Sequence, residues 1–411
     1  MTKLYLYSPI NPAKTGTANY FRLFISQIPE EIIENNEIVI VIDHRFYSHN
    51  IFDNSIHKIV DFRDIKKNTN DISVYFLANN EFHRYAHKEL FNHKPENGLA
   101  VSVVHEPCMW MNVQAMCSMR EYGFNEEHLP YFAKYQYGED AEFFCRQNLL
   151  RKTNDIFDFT SLAATHIYEN SNVIVFHSVY AKNKFILEKS PSYKVEKNPQ
   201  IIVMEHPYDD ASKNLPESIT KDKYVVGTFG WVKKVKQVED LLLAYNDFYI
   251  TLNDEQKDTV ELRIVGETEV TRDFNPVGLA ANLECTETVK FYGYVTNQKM
   301  DELLAGTSII FSLRFPSCGE SSGPVYKTKS LGIPIALSNY GAFAEEDADY
   351  FISVNMNTQR KEIQKVIAKE YAIYVKKDKR EVKKRTKNSS SYKTVGSTLK
   401  KIIAIQNGTI Q

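Results

Sequence analysis

The stretch Ile309-Ile310-Phe311-Ser312-Leu313-Arg314-Phe315-Pro316-Ser317-Cys318-Gly319-Glu320-Ser321-Ser322-Gly323-Pro324-Val325-Tyr326-Lys327-Thr328-Lys329-Ser330-Leu331-Gly332-Ile333-Pro334-Ile335-Ala336-Leu337 holds the fold in miniature. A short apolar run leads into a Gly/Ser-rich turn, a helical segment, a Gly-Ile-Pro stop and a second apolar run. Strand, turn, helix, strand is the repeating unit of a parallel sheet covered on both faces. A helix opening at Ser322 to Val325 points free backbone N–H groups and a partial positive charge at the turn before it. That end suits an anion such as a diphosphate. Glu320 stands just ahead of it, placed to accept hydrogen bonds from hydroxyl groups. On these residues alone, a simply capped helix and a phosphate site are equally good readings.

Working outward, the same alternation fills the second half of the chain. Tyr224-Val225-Val226-Gly227, Leu262-Arg263-Ile264-Val265-Gly266 and Val289-Lys290-Phe291-Tyr292-Gly293 read as strands, with helices expected over 238–251 and 297–305. An equivalent series occupies the first half: Leu4-Tyr5-Leu6-Tyr7, Ile38-Val39-Ile40-Val41-Ile42, Val74-Tyr75-Phe76-Leu77, Val101-Ser102-Val103-Val104, Val173-Ile174-Val175-Phe176 and Ile201-Ile202-Val203-Met204. Two consecutive series predict an α/β protein of two Rossmann-like domains facing each other across a cleft, with ligands beyond the carboxyl ends of the strands. The expected boundaries are 1–205 for the first domain, 206–223 for a polar linker, 224–355 for the second domain, and 356–411 for a helical basic tail that packs back on the first domain.

Two segments interrupt the pattern. Residues 107–150 carry Trp110, Tyr122, Tyr131, Phe132, Tyr135, Tyr137, Phe143 and Phe144 and predict a helical insertion, read either as extra core or as an acceptor-binding or membrane-touching surface. Residues 376–401 hold eleven Lys or Arg against Asp378 and Glu381. Such a run is a solvated helix face or a patch drawn to anionic lipid or an anionic acceptor.

Composition narrows the class. The 411 residues fit two domains or three, and 43% hydrophobic with 25% charged residues is a globular balance. No apolar run reaches the length of a membrane span, and the start lacks the pattern of a signal peptide. The five cysteines are scattered without zinc or redox spacing, so a reducing cytoplasm is the expected home, with peripheral contact at the inner membrane face through the tail. A net charge of −2 argues against a dedicated nucleic-acid binder.

The 314–334 segment resembles the donor-site signature of retaining GT-B glycosyltransferases, especially glycosyltransferase family 4. Members carry an arginine, Pro-Thr or Pro-Ser, then Gly-Glu-Ser/Thr-Ser-Gly, a helix and Gly-x-Pro. Many have a second glutamate where this chain has Lys327, so Glu320 is the one acid carried over. Ser338-Asn339-Tyr340-Gly341-Ala342-Phe343-Ala344-Glu345 resembles the family turn that ends in glutamate. Gly227-Thr228-Phe229-Gly230-Trp231-Val232-Lys233-Lys234-Val235-Lys236-Gln237 resembles its glycine turn followed by a diphosphate-binding lysine, here Lys236. Trp231 takes a place that is often arginine, and Lys233 is the nearby replacement charge. Without the resemblance these lysines read as a solvated loop.

Matches in the first half are weaker. Ser8-Pro9-Ile10-Asn11-Pro12-Ala13-Lys14-Thr15-Gly16-Thr17-Ala18-Asn19-Tyr20 resembles the N-terminal loop in which a glycine lets backbone approach the sugar or phosphate, although Thr17 equally suits a helix N-cap. His105 follows the 101–104 strand where the family often has a histidine near the transferred sugar. Ser178 matches a family serine, and His206-Pro207-Tyr208-Asp209 resembles the hinge sequence.

The resemblance implies a metal-independent retaining hexosyltransferase without a cofactor, acting in cell-surface glycan or glycoconjugate synthesis. Its donor would be a UDP- or GDP-sugar and its acceptor a glycan, lipid-linked or protein hydroxyl. His105, Lys236, Glu320 and Glu345 are the expected catalytic residues. Gly16, Thr17, Ser178, Gly230, Lys233, Lys236, Arg314, Glu320, Ser321, Ser322 and Gly323 are the expected donor contacts. The rivals are a sugar-nucleotide epimerase of the same layout and an inactive nucleotide-sugar-binding protein. A nicotinamide oxidoreductase would want a Gly-x-Gly-x-x-Gly turn, and the turn after Tyr7 is not one.

Overall fold

The computed structural model describes residues 2–47, 57–149, 159–195, 197–208, 222–376 and 394–409. The chain divides into two compact units: Met1–Pro207 with Cys318–Ser321 and Ser389–Gln411, and Tyr208–Ser317 with Ser322–Asn388. Most of the expected linker, and most of the basic run of 376–401, lies outside the described residues.

The first unit holds a seven-stranded, all-parallel sheet in the order β3-β2-β1-β4-β5-β6-β7. Its strands are β1 (Thr2–Tyr7), β2 (Asn36–Ile42), β3 (Lys58–Asp61), β4 (Ile72–Leu77), β5 (Leu99–Val104), β6 (Val173–Phe176) and β7 (Gln200–Val203). The second unit holds a six-stranded parallel sheet in the order β10-β9-β8-β11-β12-β13, from β8 (Tyr224–Phe229), β9 (Val260–Val265), β10 (Val289–Phe291), β11 (Ile309–Ser312), β12 (Ile335–Ser338) and β13 (Tyr350–Ile352). In both sheets the order reverses beside the first strand, between β1 and β4 and between β8 and β11. Ligands of open α/β sheets settle beyond the carboxyl ends at such a switch point.

The strands read as apolar runs because they are buried on both faces. Every residue of β4, β5 and β8 is buried. Successive side chains enter opposite cores, as the period of two requires. Tyr5 and Tyr7 join Tyr75, Tyr85 and Phe176 on one face, while Leu4 and Leu6 join Phe21, Phe24 and Phe76 on the other. Each such side chain contributes about 1.5–3 kcal/mol when fully buried. Two strands had no clear sequence signature. In β3 only Ile59 and Val60 are apolar, and β13 is three residues long; both are edge strands with one neighbour to pair with.

Residues 107–150 contain the helices Trp110–Ser118, Leu129–Tyr137 and Ala141–Leu149. Trp110, Phe132 and Phe144 meet in a core of their own, while Phe143 is 66% exposed. The stretch 356–411 is not one tail. Helix Gln359–Val375 packs Ile363, Ile367 and Tyr371 into the second unit, where the Ile367 carbonyl accepts a hydrogen bond from Tyr224 Oη at 2.9 Å. Helix Val395–Gln406 packs Val395, Leu399 and Ile402, an i, i+4, i+7 stripe, into the first unit with Phe21 and Phe24. Thr394 caps its N-terminus, and Lys400 pairs with Glu31 at 2.6 Å.

Candidate functional site

In the second unit the two glycine-rich motifs meet at the carboxyl end of the sheet. After β8 the chain turns at Gly230, whose φ of 100° is strained for any residue with a Cβ. A Cβ there would lie 4.0 Å from Lys236 Nζ and 3.7 Å from Pro324 Cγ. Gly266 crosses beneath so closely that its Cβ would stand 2.1 Å from the Gly230 carbonyl oxygen. The Phe315 N–H donates to the Val235 carbonyl at 2.9 Å and ties the segment after β11 to the lysine turn. Gly230, Lys236 and the start of helix Gly323–Ser330 are thereby brought together.

That helix begins without a side-chain cap: Ser322 occupies the N-cap position and is buried, yet makes no capping hydrogen bond. A Cβ at Gly323 would meet nothing within 4 Å, so the chain's own packing does not demand glycine there. Arg314 is buried, its N–H bonded to Ser338 Oγ at 2.8 Å and its guanidinium 5.1 Å from the Phe343 ring centre. Phe343 belongs to the 3-10 turn Gly341–Glu345, at whose end Glu345 is exposed. Its neighbour Glu346 accepts from Tyr326 Oη at 2.6 Å and pairs with Lys329, fastening the turn to the helix. Lys233 lies 3.7 Å from Glu269 with its ammonium 5.6 Å from the Trp231 ring centre, and Trp231 is 47% exposed.

The departure at position 327 has a structural reason. Lys327 points away from the turn and pairs with Asp301 at 2.5 Å, both side chains almost fully buried. It anchors the helix to helix Asn297–Ala305.

The first unit gathers the remaining candidates at the carboxyl end of its own sheet. Helix Gly16–Ser26 is capped by Thr15, two residues before Thr17. Thr17 Oγ1 instead lies 2.9 Å from Thr15 Oγ1 and 2.8 Å from His83 Nε2. A Cβ at Gly16 would also meet nothing within 4 Å. Ser178 caps helix Val179–Leu187, accepting from the Ala181 N–H at 3.0 Å, so its hydroxyl has a structural task. Glu320 and Ser321 group with this unit, and the Cys318 N–H donates to Glu320 Oε2 at 2.7 Å.

His105 sits in a cluster that residue-by-residue reading missed. His83, His105, His177 and His206 follow β4, β5, β6 and β7, and three of them surround Tyr20. The Tyr20 ring centre is 4.4 Å from that of His105, 5.1 Å from His177 and 4.9 Å from His206. His83 lies 5.9 Å from His105. His105 as a residue is half-buried, but its Nε2 is shielded from water. That atom, His177 Nε2 and Tyr20 Oη have no hydrogen-bond partner among the described residues. Burial, then the neighbouring imidazoles, holds His105 well below the ordinary histidine range. Burial brings His83 and His177 to about 4, against the opposing pull of the Phe76 and Met204 carbonyls. His83, His105 and His177 are therefore neutral at physiological pH. The signal was a histidine after each of several predicted strands, a pattern visible only once the strands are seen side by side.

Among the described residues, two groups bring three metal-ligand atoms within 4.8 Å: Asp43, His44 and Asp61, and Glu106, Cys318 and Glu320. In the first, Arg45 and Arg63 already pair with the carboxylates. In the second, the hydrogen bond with Cys108 and burial keep the Cys318 thiol protonated, so it is a poor ligand as it stands.

No protein-family model matches the sequence, and no curated protein does. Solved structures do. Anabaena HepE in complex with UDP-glucose is similar at TM-score 0.55 and 12% identity over 99% of this chain and 95% of that one. WaaG, a glycosyltransferase involved in lipopolysaccharide biosynthesis, is similar at TM-score 0.52 and 13% identity over 99% and 100%. A glycosyltransferase from Rickettsia africae is similar at TM-score 0.53 and 12% identity over 99% and 93%. With two parallel sheets, each reversing order beside its first strand, and alignment over nearly the whole chain, this protein has the GT-B fold.

Proposed function

We propose that the protein is a retaining glycosyltransferase that moves a sugar from a UDP- or GDP-sugar to a hydroxyl acceptor. The observation that carries this reading is the meeting of Gly230, Lys236 and the uncapped start of helix Gly323–Ser330 in the second unit. A lysine ammonium, a glycine turn and the Gly323 N–H at the helix start, where Pro324 has no N–H and those of Val325 and Tyr326 turn back to the Ser322 carbonyl, form a cradle for a diphosphate. Open space above Gly16 and Gly323, where packing does not require glycine, supports close approach of a ligand to the backbone. The complex of the structurally similar HepE with UDP-glucose supports a nucleotide-sugar donor.

In this reading Lys236, with Lys233 beside it, and the N–H groups around Ser321–Gly323 hold the diphosphate. Glu320 and Glu345 take ribose and sugar hydroxyls, Arg314 braces the Glu345 turn through Phe343, and neutral His105 meets the transferred sugar. Gly16, Thr17 and Ser178 are the donor contacts proposed for the first unit. The acceptor oxygen bonds to the anomeric carbon as the carbon–phosphate oxygen bond breaks. The departing phosphate oxygen takes the acceptor proton, so the charge to be stabilised is the diphosphate's, and fixed positive groups do that without reorganisation. A glycan, lipid-linked or protein acceptor at the inner membrane face fits the proposal.

A thermal-shift screen against UDP, GDP and their sugars tests it, followed by release of free nucleoside diphosphate in the presence of acceptor. A site ligand at 100 times its dissociation constant stabilises by about 2.7 kcal/mol. Stabilisation without nucleotide release under any acceptor would leave a binding protein, and conversion of the donor without acceptor would mark an epimerase. No stabilisation by any nucleotide removes the proposal.

A further inference from the structure

The ends of β2 and β3 carry the same three-residue device. Asp43-His44-Arg45 follows β2 and Asp61-Phe62-Arg63 closes β3, and the two strands are parallel neighbours with Ile42 opposite Asp61. In each copy the aspartate begins a 3-10 turn and accepts the backbone N–H of the arginine two residues on, at 3.1 Å for Arg45 and 3.0 Å for Arg63. The same arginine then folds its guanidinium back onto that aspartate. Arg45 Nε and Nη2 reach the Asp43 carboxylate at 2.9 and 2.7 Å. Arg63 Nε and Nη2 reach that of Asp61 at 2.6 and 3.0 Å.

The carboxylates are hidden and the guanidiniums are not. The Asp43 side chain is 0% exposed and that of Asp61 7%, whereas those of Arg45 and Arg63 are 49% and 47% exposed. Burial works to raise both carboxyl groups, but the arginine hydrogen bonds and backbone N–H groups hold them below the usual carboxylate range. Each arginine is further braced. Arg45 donates to Tyr122 Oη and lies 4.6 Å from that ring, and Tyr122 Oη donates to Asp43 at 2.7 Å. Arg63 lies 5.2 Å from the Phe62 ring, and His44 Nδ1 lies 2.6 Å from Asp61 Oδ2. Arg63 Nη2 also reaches within 3.8 Å of Asp43, so the two copies are cross-tied and their like charges are held side by side.

We infer that Arg45 and Arg63 form a preorganised two-guanidinium site for an anionic group, phosphate or carboxylate, on the acceptor. The pair stands at the carboxyl end of the first unit's sheet, after β2 and the edge strand β3, with β1 between them and the histidine cluster on β4 to β7. Nε and Nη2 of each arginine are committed to aspartate. Nη1 of each makes no hydrogen bond among the described residues, and the half-exposed forks match an oxyanion geometrically. Their entropy is already restrained by the aspartates, which lowers the cost of binding. Two aspartates offset two arginines, so recognition comes from directed N–H donors rather than a long-range field, and the salt dependence is correspondingly shallow. Assigning the anion to an acceptor rests on the glycosyltransferase reading; the anion site itself does not.

The test is titration of the full-length protein with glucose 6-phosphate, glucuronate and neutral methyl α-glucoside, with and without saturating UDP. UDP occupies the diphosphate cradle and keeps the probes out of it. Glucose 6-phosphate or glucuronate is expected to bind in the presence of UDP, and the stronger of the two names the anion. In Arg63→Gln that binding weakens about tenfold or more, while the response to methyl α-glucoside and to UDP is unchanged. Arg63→Gln leaves Asp61 its backbone donors. The paired variant Asp43→Asn/Arg45→Gln removes both charges of the other copy, so no buried ion is stranded if Arg45 alone cannot be replaced. Failure of both anions to bind wild type, or equal binding by wild type and both variants, overturns the inference. If UDP fails to bind while the UDP-free titration still depends on Arg63, the proposed function falls and the anion site stands.

Discussion

Mild acid is expected to unfold the first unit while the second remains folded. All eleven histidines lie before Pro207, and residues 208–317 and 322–388 contain none. Among the described residues seven are pushed down in the folded protein, with burial the largest cause each time: His57 and, more strongly, six others. His83, His93 and His177 fall to about 4 and His87 to about 3, and His105 and His166 lie well below the ordinary value. These groups stay neutral in the fold but take up protons in the unfolded chain below about pH 6.5. Acid therefore draws the equilibrium toward the unfolded chain. The stability is complete above about 6.5 and is lost progressively as pH falls from there toward the folded values. At about pH 5.5 each such histidine costs roughly 1.4 kcal/mol, and six cost about 8 kcal/mol. That is the whole stability of a typical domain, about 5–15 kcal/mol. Asp43 and Asp61, held below the usual range, start to protonate only in stronger acid.

The two tryptophans make this measurable. Trp110 is fully buried in the first unit, and Trp231 is half-exposed in the second. In Trp231→Phe the remaining emission comes from Trp110 and should shift to the red with a midpoint near about pH 5.5. Hydrogen-exchange mass spectrometry at the same pH should find β8, β9 and β11 still protected. Trp110 emission unchanged at about pH 4.5, or loss of protection in both units at one pH, would refute the reasoning.

Three further outcomes are expected. Lys236→Ala should lower transfer by about tenfold or more through loss of a charge-assisted contact with the diphosphate, with its melting temperature unchanged; wild-type turnover would take Lys236 out of the cradle. Activity should survive EDTA, because lysines and backbone N–H groups stand opposite the diphosphate, and an α-linked donor should yield an α-linked product by proton NMR; a β product would overturn the retaining assignment. Lys327→Met should destabilise the second unit by about 3–5 kcal/mol, since it strands the buried Asp301 carboxylate, whereas Lys327→Met/Asp301→Asn should recover most of the loss; denaturant titration separates the two, and equal stability of both variants would show that the pair does not anchor the helix.

The sequence alone determined the two α/β series, because parallel strands buried on both faces must be apolar at nearly every position. Val173–Phe176 and Ile309–Ser312 were legible to the residue for that reason. The edge strand Lys58–Asp61 was not, since a strand with one neighbour needs less apolar side chain. Gly230, Lys236, Ser322 and Gly323 stood out only through the resemblance to a family motif; read on their own residues, the lysines are a solvated loop and the helix start a simple cap. What only the tertiary structure decided are the partnerships between distant segments. Lys327 finds Asp301 on another helix, Thr15 rather than Thr17 caps the first helix, and Tyr20 gathers histidines from the ends of β5, β6 and β7. The Asp-x-Arg steps at 43 and 61 were in plain view as text, but their meaning required β2 and β3 to lie side by side. Side-chain spacing along a chain reports which face a residue occupies; which residues share that face across strands depends on sheet order, and sheet order is set by the packing of the whole domain.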